Sequence, residues 1–252
     1  MSPNVSFPTF QTFVRGCFGR VNGINYSNSQ LASKIQRYAT IATKAVRKEK
    51  IVAVGPNLAM CSAWVVALAN NFDLVFDSDE GGAIWRRFPG VCPYCGTAPC
   101  SCKERRSKRI TDDPEIKIGI KSDSLVSVKS FQRMFREIYP ANGKIDTCLH
   151  LLEEVSELME AIQNYNSIHS LVEFDNIIEE LVDVVANIYG VASTCSIDLA
   201  DELVSLFKDD CCPECHLPTC RCGFTKAKPM CSTQAGNQSP QLALELDRKG
   251  PG

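Results

Sequence analysis

Two stretches decide how this chain reads: Leu151-Leu-Glu-Glu-Val-Ser-Glu-Leu-Met-Glu-Ala-Ile162 and Glu179-Glu-Leu-Val-Asp-Val-Val185. Each sits in an apolar run with helical periodicity, predicted as helices over Ile145–Asn164 and about Val172–Cys195. A helix advances about 100° per residue. On the first wheel Leu151, Val155, Leu158 and Ile162 form an apolar stripe, with Glu154 at its shoulder and Glu157 further round. The second repeats that placement: Ile177, Leu181, Val184 and Ile188 make the stripe, Glu180 takes the shoulder and Asp183 lies beyond. An acidic i,i+3 pair on one helix is ordinarily a solvated face. Two matched pairs on neighbouring helices instead bring four carboxylates to one edge of a shared core. Carboxylates that close repel one another unless a cation sits among them, and oxygen donors select a hard ion, Mg²⁺ or Mn²⁺. Glu154, Glu157, Glu180 and Asp183 are therefore the expected metal ligands.

The same residues resemble the MazG-like, all-α nucleoside triphosphate pyrophosphohydrolases, whose pattern is ExxE, a helix-to-helix gap, then ExxD. The similarity covers roughly residues 127–207 and includes the flanking apolar positions. It implies Mg-dependent hydrolysis of a nucleoside triphosphate to monophosphate and pyrophosphate, with house-cleaning of nucleotide pools as the suggested role. Glu153 or Glu157 then stands as the carboxylate that takes a proton from the attacking water. Asn187, one turn after Asp183, and Lys144, just before the first acidic helix, are candidate substrate contacts, each with an ordinary surface role as the alternative. His150 is at most a supporting neighbour of Glu154. Relatives of this type usually dimerise with the nucleotide near the subunit contact.

A second signal is a repeat of cysteines. Cys92-Pro-Tyr-Cys95 with Cys100 and Cys102 has the same form as Cys212-Pro-Glu-Cys215 with Cys220 and Cys222. Four thiols opened by CxxC match structural zinc, and each closed site leaves no open coordination position. Two Zn²⁺ are expected; an iron–sulfur cluster or a redox dithiol is the alternative. The other six cysteines have no repeat partner and read as buried or incidental. A short apolar helix precedes each cluster, so the chain reads as two tandem all-α units, each ending in a cysteine knuckle. The boundaries are a poorly ordered lead-in over 1–25, a degenerate unit over 26–103, a linker over 104–125, the acidic unit over 126–223 and a disordered tail over 224–252. Apolar residues, Trp64 among them, stand in the first unit where the carboxylates would fall. The whole is then either a homo-oligomer or an intramolecular pseudo-dimer.

Composition sets the outer limits. With 252 residues, 44% hydrophobic and a net charge of −2, the chain is an ordinary globular protein of one or two domains. Met1 to Gly19 carries no continuous apolar segment and no stretch reads as apolar enough to span a membrane, so the expected location is cytoplasmic, with no membrane partner. Residues 1–71 hold eight basic side chains against one acid, Glu49. This suits a phosphate-bearing ligand or a basic surface packed on the acidic half. A nucleic-acid partner is not expected, given the overall charge and the few aromatics beside the cysteines. The competing functional class is a non-catalytic zinc-knuckle module that binds nucleotide, protein or nucleic acid.

Overall fold

A computed structural model describes residues 2, 4–78, 82–102, 127–140 and 143–222. Every regular element among them is helical: α1 (Phe7–Asn25), α2 (Asn28–Arg47), α3 (Val54–Asn71), α4 (Ala83–Arg87), α5 (Val128–Ile138), α6 (Lys144–Ile168), α7 (Leu171–Thr194) and α8 (Leu199–Leu206). The expected linker and tail lie outside the described residues.

Side-chain caps explain most of the starts. Ser27 and Gln30 form a reciprocal capping box at α2, and Ser6, Ser127, Ser170 and Asp198 each accept an amide N–H at α1, α5, α7 and α8. Helix α3 opens at Val54, just before Gly55-Pro56. Both residues sit in its first turn, where proline's missing N–H breaks no intrahelical bond. The Glu202 side chain packs into the space that a Cβ at Gly55 would take.

Two expectations need correction. Residues 7–25 are not a poorly ordered lead-in but the nineteen-residue helix α1. Phe7, Phe10, Val14, Cys17 and Phe18 recur at helical spacing and are buried, while Gly16 and Gly23 face open space. Burial of that aromatic stripe outweighs the low helix propensity of the glycines. The second concerns the membrane. Ile51–Asn71 has a mean hydropathy of 1.8, enough by length and composition for a span. Its composition instead reflects burial on nearly all sides: Leu58, Cys61, Val65 and Leu68 are fully enclosed.

Helices α2 and α3 pair, α6 and α7 pair, and α2 packs on α6 to join the pairs. The short helices cross between them: α4 packs on α7 and α8 on α3. Corresponding bonds recur in the two halves. The Gln11 side chain donates to the Leu74 carbonyl and accepts from the Phe76 amide; Gln132 donates to Ile197 O (2.7 Å) and accepts from Leu199 N (3.0 Å). The Cys100 amide donates to Ile138 O at the end of α5 (2.7 Å), and the Cys220 amide to Cys17 O in α1 (2.8 Å). The segments leading into α1 and α5 touch each other through a Ser6–Ser127 bridge. Each cysteine cluster thus grips a helix of the opposite half. Gln132→Ala strands both backbone groups it holds and is expected to cost about 1–3 kcal/mol, read as a lower urea midpoint.

Candidate active site

The acidic helices bring three of the four expected ligands together. One carboxylate oxygen from each of Glu154, Glu157 and Glu180 lies within 4.8 Å of the others. Leu151, Val155 and Leu158 of α6 pack with Ile177, Leu181 and Val184 of α7 in the core and set the angle of the shoulder residues. Glu154 and Glu180 are half-buried, and Glu157 is exposed. Burial, with Asp183 and Glu157 as neighbouring anions, pushes the Glu154 carboxyl up to about 8. Burial, again with Asp183 and Glu157, raises Glu180 to about 7. Glu180 Oε2 is buried without a hydrogen-bond partner among the described residues. A compact set of oxygen donors, one of them orphaned, suits a hard divalent cation.

Asp183 neighbours the other three but is engaged elsewhere. Both its oxygens are taken by Arg87 of α4, at 3.1 Å from Nε and 2.6 Å from Nη2. The same guanidinium reaches Glu179 (3.4 Å) and the Tyr94 hydroxyl (3.2 Å), and it lies over the Tyr94 ring. Burial disfavours its charge, but the hydrogen bond and charge of Asp183 prevail and hold it ionised.

A cavity of about 810 Å³ opens at this cluster. The four carboxylates line it together with the aromatic side chains of Phe88, Tyr94, Phe135 and Tyr139. Cys92, Cys100 and Cys102 also line it, so the first cysteine cluster is part of the wall. The Tyr139 hydroxyl meets Cys92 Sγ at 3.6 Å.

The remaining candidates separate. Asn187 lines the cavity, its amide donating to the Asp183 carbonyl (3.0 Å). Glu153 is exposed and pairs with His150 Nδ1 (2.9 Å). His150 itself lines the cavity, whereas Glu153 and Lys144 are not among the residues that do. Spacing alone misses Arg87, whose partners lie 92 and 96 residues away. The available signal was local: Ile84, Arg87 and Phe88 share one face of a short helix, which places an arginine among buried residues.

Both cysteine groups are compact enough for one ion. Cys92 Sγ is 3.5 Å from both Cys100 and Cys102, and Cys95 is 3.9 Å from Cys100. Four thiolates around tetrahedral zinc stand about 3.8 Å apart, from a Zn–S bond of about 2.3 Å. In the second group Cys212–Cys222 is 3.6 Å and Cys220–Cys222 is 3.1 Å. Burial opposes ionisation of Cys95, but the Thr97 hydroxyl and the Ser101 amide bring its thiol down to about 5. The Arg221 amide brings Cys215 to about 6. Each cluster therefore has a thiolate ready at neutral pH.

Against ordinary carboxyl values near 4.5, the folded protein holds extra protons on Glu154 and Glu180 up to pH 7–8. Without a cation, its stability is expected to fall as pH rises across that window. Cations compete with the same protons, so Mn²⁺ affinity is expected to rise at least about tenfold from pH 6 to 8, measured by calorimetry.

Residues 143–207 match the family model described as the MazG nucleotide pyrophosphohydrolase domain. That segment holds α6, α7 and α8, and with them all four acidic ligand positions. Neither a curated protein nor a solved structure matches the chain.

Proposed function

We propose, from the match of residues 143–207 to the MazG nucleotide pyrophosphohydrolase domain, that the chain hydrolyses nucleoside triphosphates to monophosphate and pyrophosphate. The observation that carries this reading is the convergence of Glu154, Glu157 and Glu180 beside a nucleotide-sized cavity. These three, with Asp183 adjacent, would hold Mg²⁺ or Mn²⁺. When bound, such an ion neutralises polyphosphate charge and lowers the pKa of a coordinated water. Glu157, exposed at the cavity side of the cluster, is the carboxylate best placed to accept that water's proton. Glu153 is directed to His150 instead. Asn187 and Arg87 sit where they orient phosphate oxygens, and the aromatic side chains take the base or sugar while limiting access of water.

The recurrent bonds at Gln11 and Gln132, and at Cys17 and Ile138, support a duplicated chain folded as a pseudo-dimer. In that reading the first half has lost its carboxylates and serves the second by closing the cavity with α4 and the first cysteine cluster. Two structural Zn²⁺ complete the unit ends, and thiolate clusters of this kind suit a reducing compartment, the cytoplasm. Removal of non-standard nucleotides is the role we assign.

The test is release of pyrophosphate and monophosphate from a panel of ordinary and modified (d)NTPs with Mg²⁺. Turnover of at least one substrate is expected. No product from a folded, zinc-loaded sample would refute the enzymatic reading in favour of a binding module.

A further inference from the structure

Arg87 stands where a cation would be expected. It places one fixed positive charge against Asp183 and Glu179, beside the trio of Glu154, Glu157 and Glu180. Four of its five N–H donors are engaged: Nε and Nη2 on Asp183, Nη1 on Glu179 and Nη2 also on the Tyr94 hydroxyl. Asp183 is the fourth acid of the paired motif. Its turn of helix α7 is the same one that carries Glu180, yet its fork is filled by the guanidinium. The arginine is not simply buried structure, because it also lines the 810 Å³ cavity. Its support comes from Tyr94, which lies between Cys92 and Cys95.

From this geometry we infer that Arg87 is an internal counter-ion for Asp183, which it yields when a divalent cation arrives together with polyphosphate. The inference rests on the pyrophosphohydrolase reading and adds a positioning residue to it. In the free site the Arg87–Asp183 pair keeps Asp183 from a cation. A triphosphate offers the guanidinium a second bidentate acceptor, two oxygens of one tetrahedral phosphoryl group, so the fork exchanges a carboxylate for phosphate oxygens. Asp183 then joins Glu154, Glu157 and Glu180 around the ion. The charge of Asp183 passes to the cation and that of Arg87 to phosphate, while the partly exposed Glu179 carboxylate loses its guanidinium contact at the wetter edge of the pair. Cation and polyphosphate each favour the other's binding through one arginine, and the linkage is reciprocal. A free divalent ion without phosphate meets a weaker, three-carboxylate site, which protects the centre from filling unproductively.

The sign of one measurement separates this role from a structural one. Mn²⁺ binding to the nucleotide-free protein is read by electron paramagnetic resonance of the free aquo ion. Arg87→Met is expected to bind Mn²⁺ about tenfold more tightly than wild type, because Asp183 is released and a nearby positive charge removed. Inorganic tripolyphosphate, added with Mg²⁺, is expected to bind about tenfold more weakly to the same variant. Arg87→Gln removes the charge and the two-nitrogen fork on Asp183 while leaving one polar amide in the wall, and serves if Arg87→Met does not fold; the same two shifts are expected. Unchanged or weaker Mn²⁺ binding in the folded variant would overturn the proposal. In wild type, the Arg87 Nε–H resonance should shift when Mg²⁺ and tripolyphosphate are added together. A resonance that stays in place would mean the guanidinium never leaves Asp183, and the proposal fails. Absence of Mn²⁺ binding by every form, with or without tripolyphosphate, would instead remove the pyrophosphohydrolase reading beneath it.

Discussion

Glu180→Gln is expected to lower turnover by at least about 10²-fold while raising the melting temperature of the cation-free protein at pH 8. The two effects have one source. Glu180 is half-buried, one of its oxygens has no partner, and it stands beside Glu154, Glu157 and Asp183. At pH 8 it carries charge that burial and its neighbours disfavour, since its carboxyl titrates at about 7. A glutamine of the same shape removes that repulsion and with it the oxygen charge that a cation needs. Relief of about 1 kcal/mol would raise the midpoint by roughly 2–4 °C in a chain of this size. The comparison is made without Mg²⁺ and without chelator, because a chelator would also strip the cysteine sites. Equal activity in the variant would remove Glu180 from the cation's ligands. A lower midpoint would show that its charge is compensated in the resting protein.

The second large effect separates the two cysteine clusters. Cys102→Ser and Cys222→Ser make the same chemical change at the last cysteine of each group, and each is expected to lose one of two bound zinc ions. Cys102 lines the cavity beside the carboxylates, in the same cluster that carries Tyr94 and Cys92 with its Tyr139 contact. Its loss is expected to lower kcat/KM at least about tenfold, since misplacement of a cavity wall by about 1 Å is costly. The second cluster grips α1 through Cys17, away from the carboxylates. Cys222→Ser is expected to lower the melting temperature but to leave kcat/KM within about twofold at 25 °C. Zinc content and steady-state kinetics on the purified variants decide the matter. Matching losses of activity would mean that both clusters act only through global stability.

Much of the acidic half was legible because its signals are local. The stripes through Leu151–Ile162 and Ile177–Ile188 repeat at helical spacing, and Ser127 and Asp198 cap where short polar side chains should. The cysteine clusters are equally local, four thiols within eleven residues. Helix α1 was hidden by three glycines, whose cost is overcome only by contacts with Phe76, Phe131 and Phe207 from distant parts of the chain. Asp183 shows the same limit at the site. Its position on α7 follows from sequence, but its partner Arg87 depends on α4 crossing to the opposite pair of helices. No spacing rule contains that crossing, and the cysteine repeat could mark the unit ends without saying which wall each one forms.

The crossing also orders events during folding. The α2–α3 and α6–α7 pairs join neighbours in sequence, so their loops close early and at small entropic cost. The contact of Cys17 with Leu217 spans 200 residues, and Arg87 meets Asp183 across 96. These closures come late, and on the ribosome the second cluster cannot dock on α1 until the chain as far as Cys220 has emerged. The nascent first half therefore waits with α1 ungripped and its own cysteines lacking their α5 seat. A chain truncated anywhere before α7 lacks Glu180 and Asp183, and one that reaches α7 gains its cavity only when α4 returns to meet it.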